Sequence, residues 1–445
     1  MNVSEINRAL LAGEMDRPGV LPHLDRLRRS STVFAVDFGL ERLPKEAGIL
    51  LVRGARQYGK STWLERELRD SVREFGAGSA AYLNGDELSD QRELTDAIRS
   101  VLAAMDPQRK VRRLFIDEIT AVANWSRALK RLADAGELQD VLVVTTGSRA
   151  TDLRRGAERL PGRKGRLSRT AYLFTPISYR AFLEAGGDRL GDERIWAYLI
   201  SGGSPIGLSA LLESRTLPEW LIETVRDWIL GECAATGRGR PSLVSVMKTL
   251  TRHPGVALGQ AQLARQSGLA NNTVAAGYVE LLKDLLVLGE SVTWDASRRV
   301  EVRRKPAKYP FVNLLAMIAW HPERVRSAAE FLALESPVQG GWIEWLVAQE
   351  LWRRAAIAGA PDPEQMLFWQ GGGHETDFVV NPRLHVEAKR GAASPTDFTW
   401  FPRSFPKADL LVVNSRRFTA TRVIGVTLED FLLHGPTAPS QHRSR

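Results

Sequence analysis

The sequence predicts an α/β protein whose first half is built around a parallel sheet, and three observations support this. Short apolar runs typical of buried strands recur at 48–52, 80–84, 114–116, 141–145 and 171–174. Longer stretches with helical periodicity separate these runs, and such alternation is typical of parallel sheets. The chain has 445 residues, of which 44% are hydrophobic and 25% charged, the composition of a multidomain globular protein.

Composition also restricts the compartment and the partners. A single cysteine, Cys233, allows neither an internal disulfide framework nor a cysteine zinc site, which suits a reducing compartment such as the cytoplasm. The first residues do not resemble a signal peptide, and the longest apolar run, 311–320, is too short to span a bilayer, so we expect no membrane partner. A net charge of +9 makes polyanions candidate partners, although arginine richness is equally typical of a GC-rich genome.

The first predicted strand leads into the strongest motif of the sequence. Residues 54–61 match the phosphate-binding pattern G-x-x-x-x-G-K-[ST] and precede a helix-like stretch. Glycines let backbone N–H groups surround phosphates, Lys60 would reach the β- and γ-phosphates, and the Ser61 hydroxyl would ligate Mg²⁺. The sequence therefore predicts ATP and Mg²⁺ as cofactors, with nucleotide contacts from Gly54, Ala55, Arg56, Gln57, Tyr58, Gly59, Lys60, Ser61 and Thr62.

Two acidic residues follow the predicted strand at 114–116. Asp117 would hold the Mg²⁺ shell, and Glu118 would polarise the attacking water as a general base. At the end of the next strand, Thr146 and Ser148 are candidate sensors that contact the γ-phosphate or the water. The alternative role of both side chains is to cap the following turn.

A basic, glycine-rich segment at 160–166 is a candidate source of an arginine finger. Arg163 or Arg166 would stabilise the transferred phosphate, either within the chain or at a neighbouring subunit. The second arrangement would make another copy of the chain a partner in a homo-oligomer. The alternative is a solvated basic loop.

These segments together resemble a group of prokaryotic AAA+-like P-loop ATPases. GARQYGKST resembles their P-loop, FIDEITAVANWSRALKRL their acidic strand and following helix, and TGSRATDL, LPGRKGR and FTPISYRAFL their later landmarks. The run GGSP at 202–205 resembles the GGxP segment of their helical lid, whereas Tyr58 departs from the small aliphatic residue usual at that position. The resemblance covers most of the chain from about residue 30 and implies a winged helix and a DUF4143-type C-terminal region.

Residues 258–285 show a helix–turn–helix pattern. Gly268 marks the turn and Asn271 is the predicted N-cap of the second helix. The basic stretch 298–305, with Lys308 beyond it, would form a wing that grips DNA phosphates without sequence preference. The second helix offers few cations to base edges, so we expect weak specific readout; packing or subunit contact is the alternative role.

Four charged residues near the C-terminus form a second candidate site. Glu344 lies in a strongly helical segment, Asp377 on a strand-like run, and Glu387 and Lys389 two residues apart on the next strand, on one face. A turn at 381–382 can bring Asp377 and Glu387 over one cation, with Lys389 beside an attacked phosphate. The arrangement resembles the PD-(D/E)XK nuclease fold, which implies metal ligands Glu344, Asp377 and Glu387 and catalytic roles for Glu387 and Lys389. The alternative is a nuclease-like fold kept for binding or assembly.

The predicted organisation is an N-terminal helical segment at 1–47, a P-loop ATPase core at 48–175, a helical lid at 176–235, a winged helix-turn-helix at 236–310, a PD-(D/E)XK-like α/β domain at 311–435 and a disordered tail at 436–445. The predicted function is Mg²⁺-dependent ATP hydrolysis coupled to DNA binding or processing, with DNA cleavage by the C-terminal domain as a further prediction. The alternative is a nucleotide-gated signalling or scaffold NTPase. A nucleotide kinase or small GTPase is disfavoured, because no matching acceptor or guanine-specificity motif is evident.

Overall fold

The computed structural model describes residues 2–148, 165 and 167–436. They divide into two compact units, the first with the residues up to Val33 and Asp37–Thr175, the second with Phe34–Val36 and the residues from Pro176 onward. Five strands of the first unit form one parallel sheet, and two further sheets lie in the second unit. The predicted α/β class with a parallel sheet is therefore confirmed.

The sheet of the first unit has the strand order β2-β3-β4-β1-β5. Its strands are nearly fully buried, which explains why they read as continuous apolar runs rather than alternating ones. The strands are β1 (Gly48–Arg53), β2 (Ala80–Asn84), β3 (Arg112–Asp117), β4 (Val141–Gly147) and β5 (Ala171–Leu173). The helices are α1 (Val3–Ala12), α2 (Pro22–Arg28), α3 (Lys60–Phe75), α4 (Gln91–Ala104) and α5 (Trp125–Asp134).

One face of this sheet forms a core with α4 and α5. Leu114 and Ile116 of β3 are fully buried against Ile98 of α4 and Leu129 of α5. Helix α5 contributes an apolar stripe because its buried residues recur at helical spacing, whereas its other face is polar. This packing fixes the carboxyl ends of the strands relative to one another, and those ends carry the predicted site.

The edge strand β2 is covered by a side chain of α1. The Asn7 side-chain nitrogen Nδ2 donates to the Tyr82 carbonyl at 2.7 Å, and the Tyr82 N–H donates to Asn7 Oδ1 at 2.8 Å. The amide thus makes the pair of hydrogen bonds that a neighbouring strand would make. Because an uncovered edge can pair with another chain, Asn7 protects this edge of the sheet.

The second unit begins with helices and ends with two sheets. Its helices are α6 (Tyr179–Glu184), α7 (Arg194–Ser201), α8 (Pro205–Ser214), α9 (Glu219–Ala235), α10 (Arg240–Thr251), α11 (Gln260–Gln266), α12 (Asn272–Asp284), α13 (Leu314–Trp320), α14 (Ala328–Leu332), α15 (Ser336–Ile357), α16 (Phe401–Ser404) and α17 (Leu428–His434). Its strands are β6 (Glu290–Asp295), β7 (Val300–Val302), β8 (Gln365–Gly371), β9 (His374–Thr376), β10 (Phe378–Asn381), β11 (Leu384–Ala388), β12 (Asp409–Asn414), β13 (Phe418–Ala420) and β14 (Val423–Thr427). The sheets have the orders β7-β6-β8-β9 and β10-β11-β12-β14-β13.

Helices α11 and α12 follow the predicted helix–turn–helix pattern. Gly268 adopts a φ of +65°, which favours glycine, and Asn271 Oδ1 accepts the N–H of Val274 at 3.0 Å as the N-cap. The strands β6 and β7 form an antiparallel hairpin after α12, and β6 also pairs in parallel with β8. One sheet therefore joins strands from the two regions that the sequence analysis separates at residue 310.

No helix within residues 2–148 or 167–436 combines the length and the apolar character that crossing a bilayer requires.

Candidate functional site

The predicted phosphate loop connects β1 to α3. Gln57 has a φ of +68° and Gly59 a φ of +95°, so the loop turns through left-handed conformations just before the helix begins at Lys60. A Cβ at Gly54 would lie 2.7 Å from Phe174 Cβ and 3.0 Å from its carbonyl oxygen, so only glycine fits there. The backbone N–H groups at the start of α3 are oriented as in an anion-binding helix terminus.

Lys60 is held inside this loop. Lys60 is 5% exposed, and its Nζ donates to the carbonyls of Gly54 and Ala55, both at 3.0 Å. Burial lowers the pKa of Lys60, and the carboxylate of Glu118, 4.0 Å from Nζ, opposes that shift. Because phosphate oxygens are charged, they are stronger acceptors for this ammonium than the two neutral carbonyls.

The other predicted nucleotide contacts differ in exposure. Arg56 and Gln57 are exposed, and Ser61 and Thr62 are half-buried in the first turn of α3. Tyr58 is buried, with 3% of its surface exposed. The aromatic ring that departs from the family pattern is thus accommodated inside the unit.

The register of the sheet places the predicted acidic pair beside β4. Ile116 of β3 pairs with Thr145 of β4, so Asp117 and Thr146 lie side by side, and the Thr146 hydroxyl donates to Asp117 Oδ1. The N–H of Glu118 donates to Asp117 Oδ1 and Thr146 Oγ1, both at 3.1 Å. Glu118 has a φ of +45°, which is uncommon for a residue with a side chain, and these bonds hold it there.

Ser148 fixes the orientation of the Glu118 carboxylate. Its N–H and its hydroxyl both donate to Glu118 Oε2 at 3.1 Å, while Oε1 lies 4.0 Å from Lys60 Nζ. The two residues predicted as sensors, Thr146 and Ser148, therefore contact the acidic pair directly. The sequence does not show which carboxylate oxygen Ser148 contacts, because that depends on how the side chain turns after the strand ends.

The predicted arginine-finger residues Arg163 and Arg166 lie outside the described residues. Gly165, between them, is described, and its φ is +61°.

The parallel sheet, the glycine-rich loop after β1 and the acidic end of β3 define the class of this part of the chain as a P-loop ATPase fold. More narrowly, residues 46–183 match the protein family described as AAA domain. The match does not reach the regions predicted to be a winged helix and a DUF4143-type domain, which stay predictions.

Comparison with solved structures finds distant similarity. The Walker-type ATPase PABY2304 of Pyrococcus abyssi is 14% identical over 69% of this chain and 95% of that chain, with a TM-score of 0.42. ORC2 of Aeropyrum pernix, in ADPNP–ADP complexes, is 11% identical over 78% and 93%, with a TM-score of 0.34. Cdc6p of Pyrobaculum aerophilum is 14% identical over 61% and 86%, with a TM-score of 0.25. No curated protein matches the sequence.

The second candidate site lies in the second unit, where the four predicted side chains meet. Asp377 Oδ2 accepts the Ala388 N–H at 2.9 Å, and Glu387 Oε2 accepts the Asp377 N–H at 3.2 Å. Lys389 Nζ lies 2.6 Å from Glu387 Oε1. Glu344 of α15 joins the same cluster through an ion pair with a further lysine, Lys308.

Lys308 is the residue that the sequence analysis placed along the basic wing. Its residue is 3% exposed, and its Nζ lies 2.5 Å from Glu375 Oε1, 3.2 Å from Asp377 Oδ1 and 3.4 Å from Glu344 Oε1. Lys308 therefore does not face solvent and cannot grip phosphates. A signal for this was present, because Lys308 stands alone in the apolar run PAKYPF at 306–311.

The charged groups of this cluster alter one another's pKa values. Burial and the neighbouring Asp377 raise the pKa of Glu344 and of Glu387. Burial lowers the pKa of Lys308, but Glu344, Asp377 and Glu375 outweigh it, so the pKa is raised overall. Among the described residues, no group of three or more His, Cys, Asp or Glu side chains is arranged to hold a metal ion. The assignment of Glu344, Asp377 and Glu387 as metal ligands stays a prediction.

Proposed function

We propose that the first unit binds ATP with Mg²⁺ and hydrolyses it. The observation that carries this proposal is the meeting of Lys60, Asp117 and Glu118 at the carboxyl edge of one parallel sheet. The match of residues 46–183 to the AAA domain supports the same class of activity.

Each residue has a role that its position suits. Lys60 would exchange its two backbone acceptors for phosphate oxygens, and the start of α3 would hold the phosphates with backbone N–H groups. The Ser61 hydroxyl and the Asp117 carboxylate are hard oxygen donors that fit Mg²⁺. That ion would supply charge neutralisation at the phosphates.

The Glu118 carboxylate would act as the general base. Since Ser148 occupies Oε2 with two hydrogen bonds, Oε1 is the oxygen that would take a proton from the attacking water. The water oxygen forms the new bond to the γ-phosphorus, and the bond to the bridging oxygen breaks, so that ADP leaves.

ATP turnover by the purified full chain tests this proposal. Lys60→Ala should abolish Mg²⁺-dependent phosphate release, because the buried ammonium at the loop is removed. Lys45→Ala, an exposed lysine paired with Glu74, is the matched control and should keep wild-type turnover. Normal turnover in the Lys60→Ala protein would refute the proposed site.

We further propose that ATP turnover is coupled to DNA through the hairpin β6–β7. Arg298 and Arg299 at its turn, and Arg304 and Lys305 beyond β7, are all exposed, whereas Arg303 is paired with Glu301. Such cations suit backbone contacts, which position a protein on DNA without reading sequence.

The salt dependence of DNA binding tests this second step. Displaced counterions give log K a slope of about −0.9 per neutralised phosphate, so Arg298→Gln/Arg299→Gln should weaken binding and flatten the slope by up to about 2. The control Arg8→Gln/Arg29→Gln removes two exposed arginines of the first unit and should leave binding unchanged.

Binding that is absent at low salt, with ATPase activity intact, would favour the alternative of a nucleotide-gated scaffold. DNA cleavage by the C-terminal region is not part of this proposal and stays a prediction. The convergence of Asp377, Glu387 and Lys389 supports it. The position of Lys308 among the carboxylates weighs against it.

A further inference from the structure

Lys308 places an ammonium group in the middle of the carboxylates that the sequence predicts as metal ligands. We propose that Lys308 is the resident cation of this cluster and keeps divalent metal ions out of it. The inference concerns the second unit alone and does not depend on ATP hydrolysis or DNA binding.

Three carboxylates surround the Lys308 ammonium. Glu375, Asp377 and Glu344 each present one oxygen to Lys308 Nζ, at 2.5, 3.2 and 3.4 Å. These oxygens come from α15 and from the segment at β9, so the lysine ties separate elements together. An ammonium that already has three carboxylate oxygen partners fills the role a hard metal ion would fill.

The backbone of Lys308 is held in place by hydrogen bonds to β6. Its backbone N–H donates to the Ser291 carbonyl at 2.9 Å, and its carbonyl accepts the Ser291 N–H at 2.8 Å. Both backbone groups of Lys308 are therefore bonded to β6. Its side chain is only 4% exposed. The ammonium is therefore shielded from solvent within the cluster.

Three further carboxylate oxygens of the cluster already have donors. Asp377 Oδ2 accepts the Ala388 N–H, Glu387 Oε2 accepts the Asp377 N–H, and Glu387 Oε1 is 2.6 Å from Lys389 Nζ. A metal ion would have to displace these donors and lie close to the Lys308 ammonium, which repels it.

The loop after α10 approaches Glu344 closely. Gly255 follows α10 with a φ of +68°, and a Cβ added there would lie 2.3 Å from Glu344 Oε2. The loop thus lies directly against the Glu344 carboxylate. A hydrated divalent ion, which keeps several waters, has no space on the side of the loop.

Metal binding by the nucleotide-free full chain, titrated with Mn²⁺ and followed by calorimetry and electron paramagnetic resonance, tests the inference. The wild type should show no Mn²⁺ site that Asp377→Asn removes. Lys308→Met should gain one Mn²⁺ site at least tenfold tighter than anything in the wild type, and Lys308→Met/Asp377→Asn should lose it. Because Asp377→Asn alters only this cluster, the comparison separates it from any ion at the phosphate loop.

Lys283→Met is the matched control. Lys283 is also a largely buried lysine between two glutamates, Glu280 and Glu290, at 3.0 and 2.7 Å. With only two carboxylates, one of them exposed, its removal should create no Mn²⁺ site. If Lys283→Met gains a Mn²⁺ site as tight as that of Lys308→Met, the inference is overturned. The loss of any buried lysine would then be enough to create a metal site.

Removal of one cation can leave the buried acids unbalanced and unfold the protein, which circular dichroism would show. The double variant Lys308→Gln/Glu344→Gln removes one charge of each sign and is then used instead, with Glu375, Asp377 and Glu387 left to bind Mn²⁺. The inference is overturned if the wild type binds Mn²⁺ or cuts DNA with it in a way that Asp377→Asn abolishes. It is equally overturned if the folded Lys308 variants gain no site.

Discussion

Glu118→Gln should stop ATP hydrolysis without stopping ATP binding. The substitution keeps the size of the side chain and an oxygen that can accept the two hydrogen bonds from Ser148. It also keeps the backbone N–H whose bonds to Asp117 and Thr146 support the positive φ. What disappears is the carboxylate oxygen that lies 4.0 Å from Lys60 and that, as proposed, would take the proton of the attacking water.

The size of the effect follows from that single loss. A general base contributes about 10²–10⁴-fold to the rate. At about 1.4 kcal/mol per tenfold, this corresponds to about 3–6 kcal/mol in activation free energy. We therefore expect kcat to fall by at least about a hundredfold, with the dissociation constant for ATP changed by less than about threefold.

Phosphate release at saturating ATP and Mg²⁺ measures kcat, and a fluorescent ATP analogue measures binding. Glu87→Gln is the matched control, since Glu87 is an exposed glutamate just after the end of the neighbouring strand β2 and should be silent. Wild-type turnover by the Glu118→Gln protein would refute the assignment of the base. A loss of ATP binding of the same size as the loss of turnover would show that Glu118 acts in binding instead.

Three further substitutions test other contacts. Thr146→Val removes the hydroxyl shared by Asp117 and the Glu118 N–H, so it should lower the free energy of unfolding by about 1–3 kcal/mol and reduce kcat, checked by urea unfolding and phosphate release. Burial lowers the pKa of His321 to about 4, so the folded state binds its proton less readily than the unfolded state. Stability should therefore fall as the pH drops from about 6.5 to about 4, by up to about 1.4 kcal/mol per pH unit, and His321→Gln should remove that share of the slope in melts across this range. Asn7→Ala removes both bonds to the Tyr82 backbone and should speed amide exchange of that edge strand, measured by hydrogen–deuterium exchange.

Controls for these substitutions come from neighbouring positions. Thr145→Val, one residue earlier on β4, loses only a 3.3 Å bond to the Leu50 carbonyl and should leave kcat unchanged. Ser4→Ala on α1 should leave exchange in β2 as in the wild type. Equal effects of Thr145→Val and Thr146→Val, an unaltered pH slope in His321→Gln, or unaltered exchange in Asn7→Ala would each contradict the corresponding argument.

Features that depend on residues close together in the sequence were predicted correctly. All five strands of the first sheet appear as apolar runs, because strands buried on both faces need a continuous run, and the loop at 54–61 follows from glycines and one lysine at fixed spacing. The position of Asp117 beside Thr146 also follows, since parallel strands end at a common edge.

Contacts between distant parts of the chain could not be predicted in this way. Lys308 and Glu375 are 67 positions apart, and no local pattern shows that their side chains form an ion pair. The pairing of β6 with β8 is hidden for the same reason, because a strand signal does not say which partner it takes. Residue type predicted which groups carry charge; only the folded chain shows which charges meet.

The parallel pairing of β6 with β8 has a consequence for how the chain acquires its structure during synthesis. Glu290 pairs with Gln365, so one edge of β6 stays unpaired until a strand 75 residues later has been synthesised. At about 5–20 residues per second, that delay is on the order of 4–15 seconds. During this time the edge is open to wrong partners, which favours aggregation at high local concentration. Slowing translation after residue 295 should therefore raise the aggregated fraction, whereas slowing it before β6 is made should not.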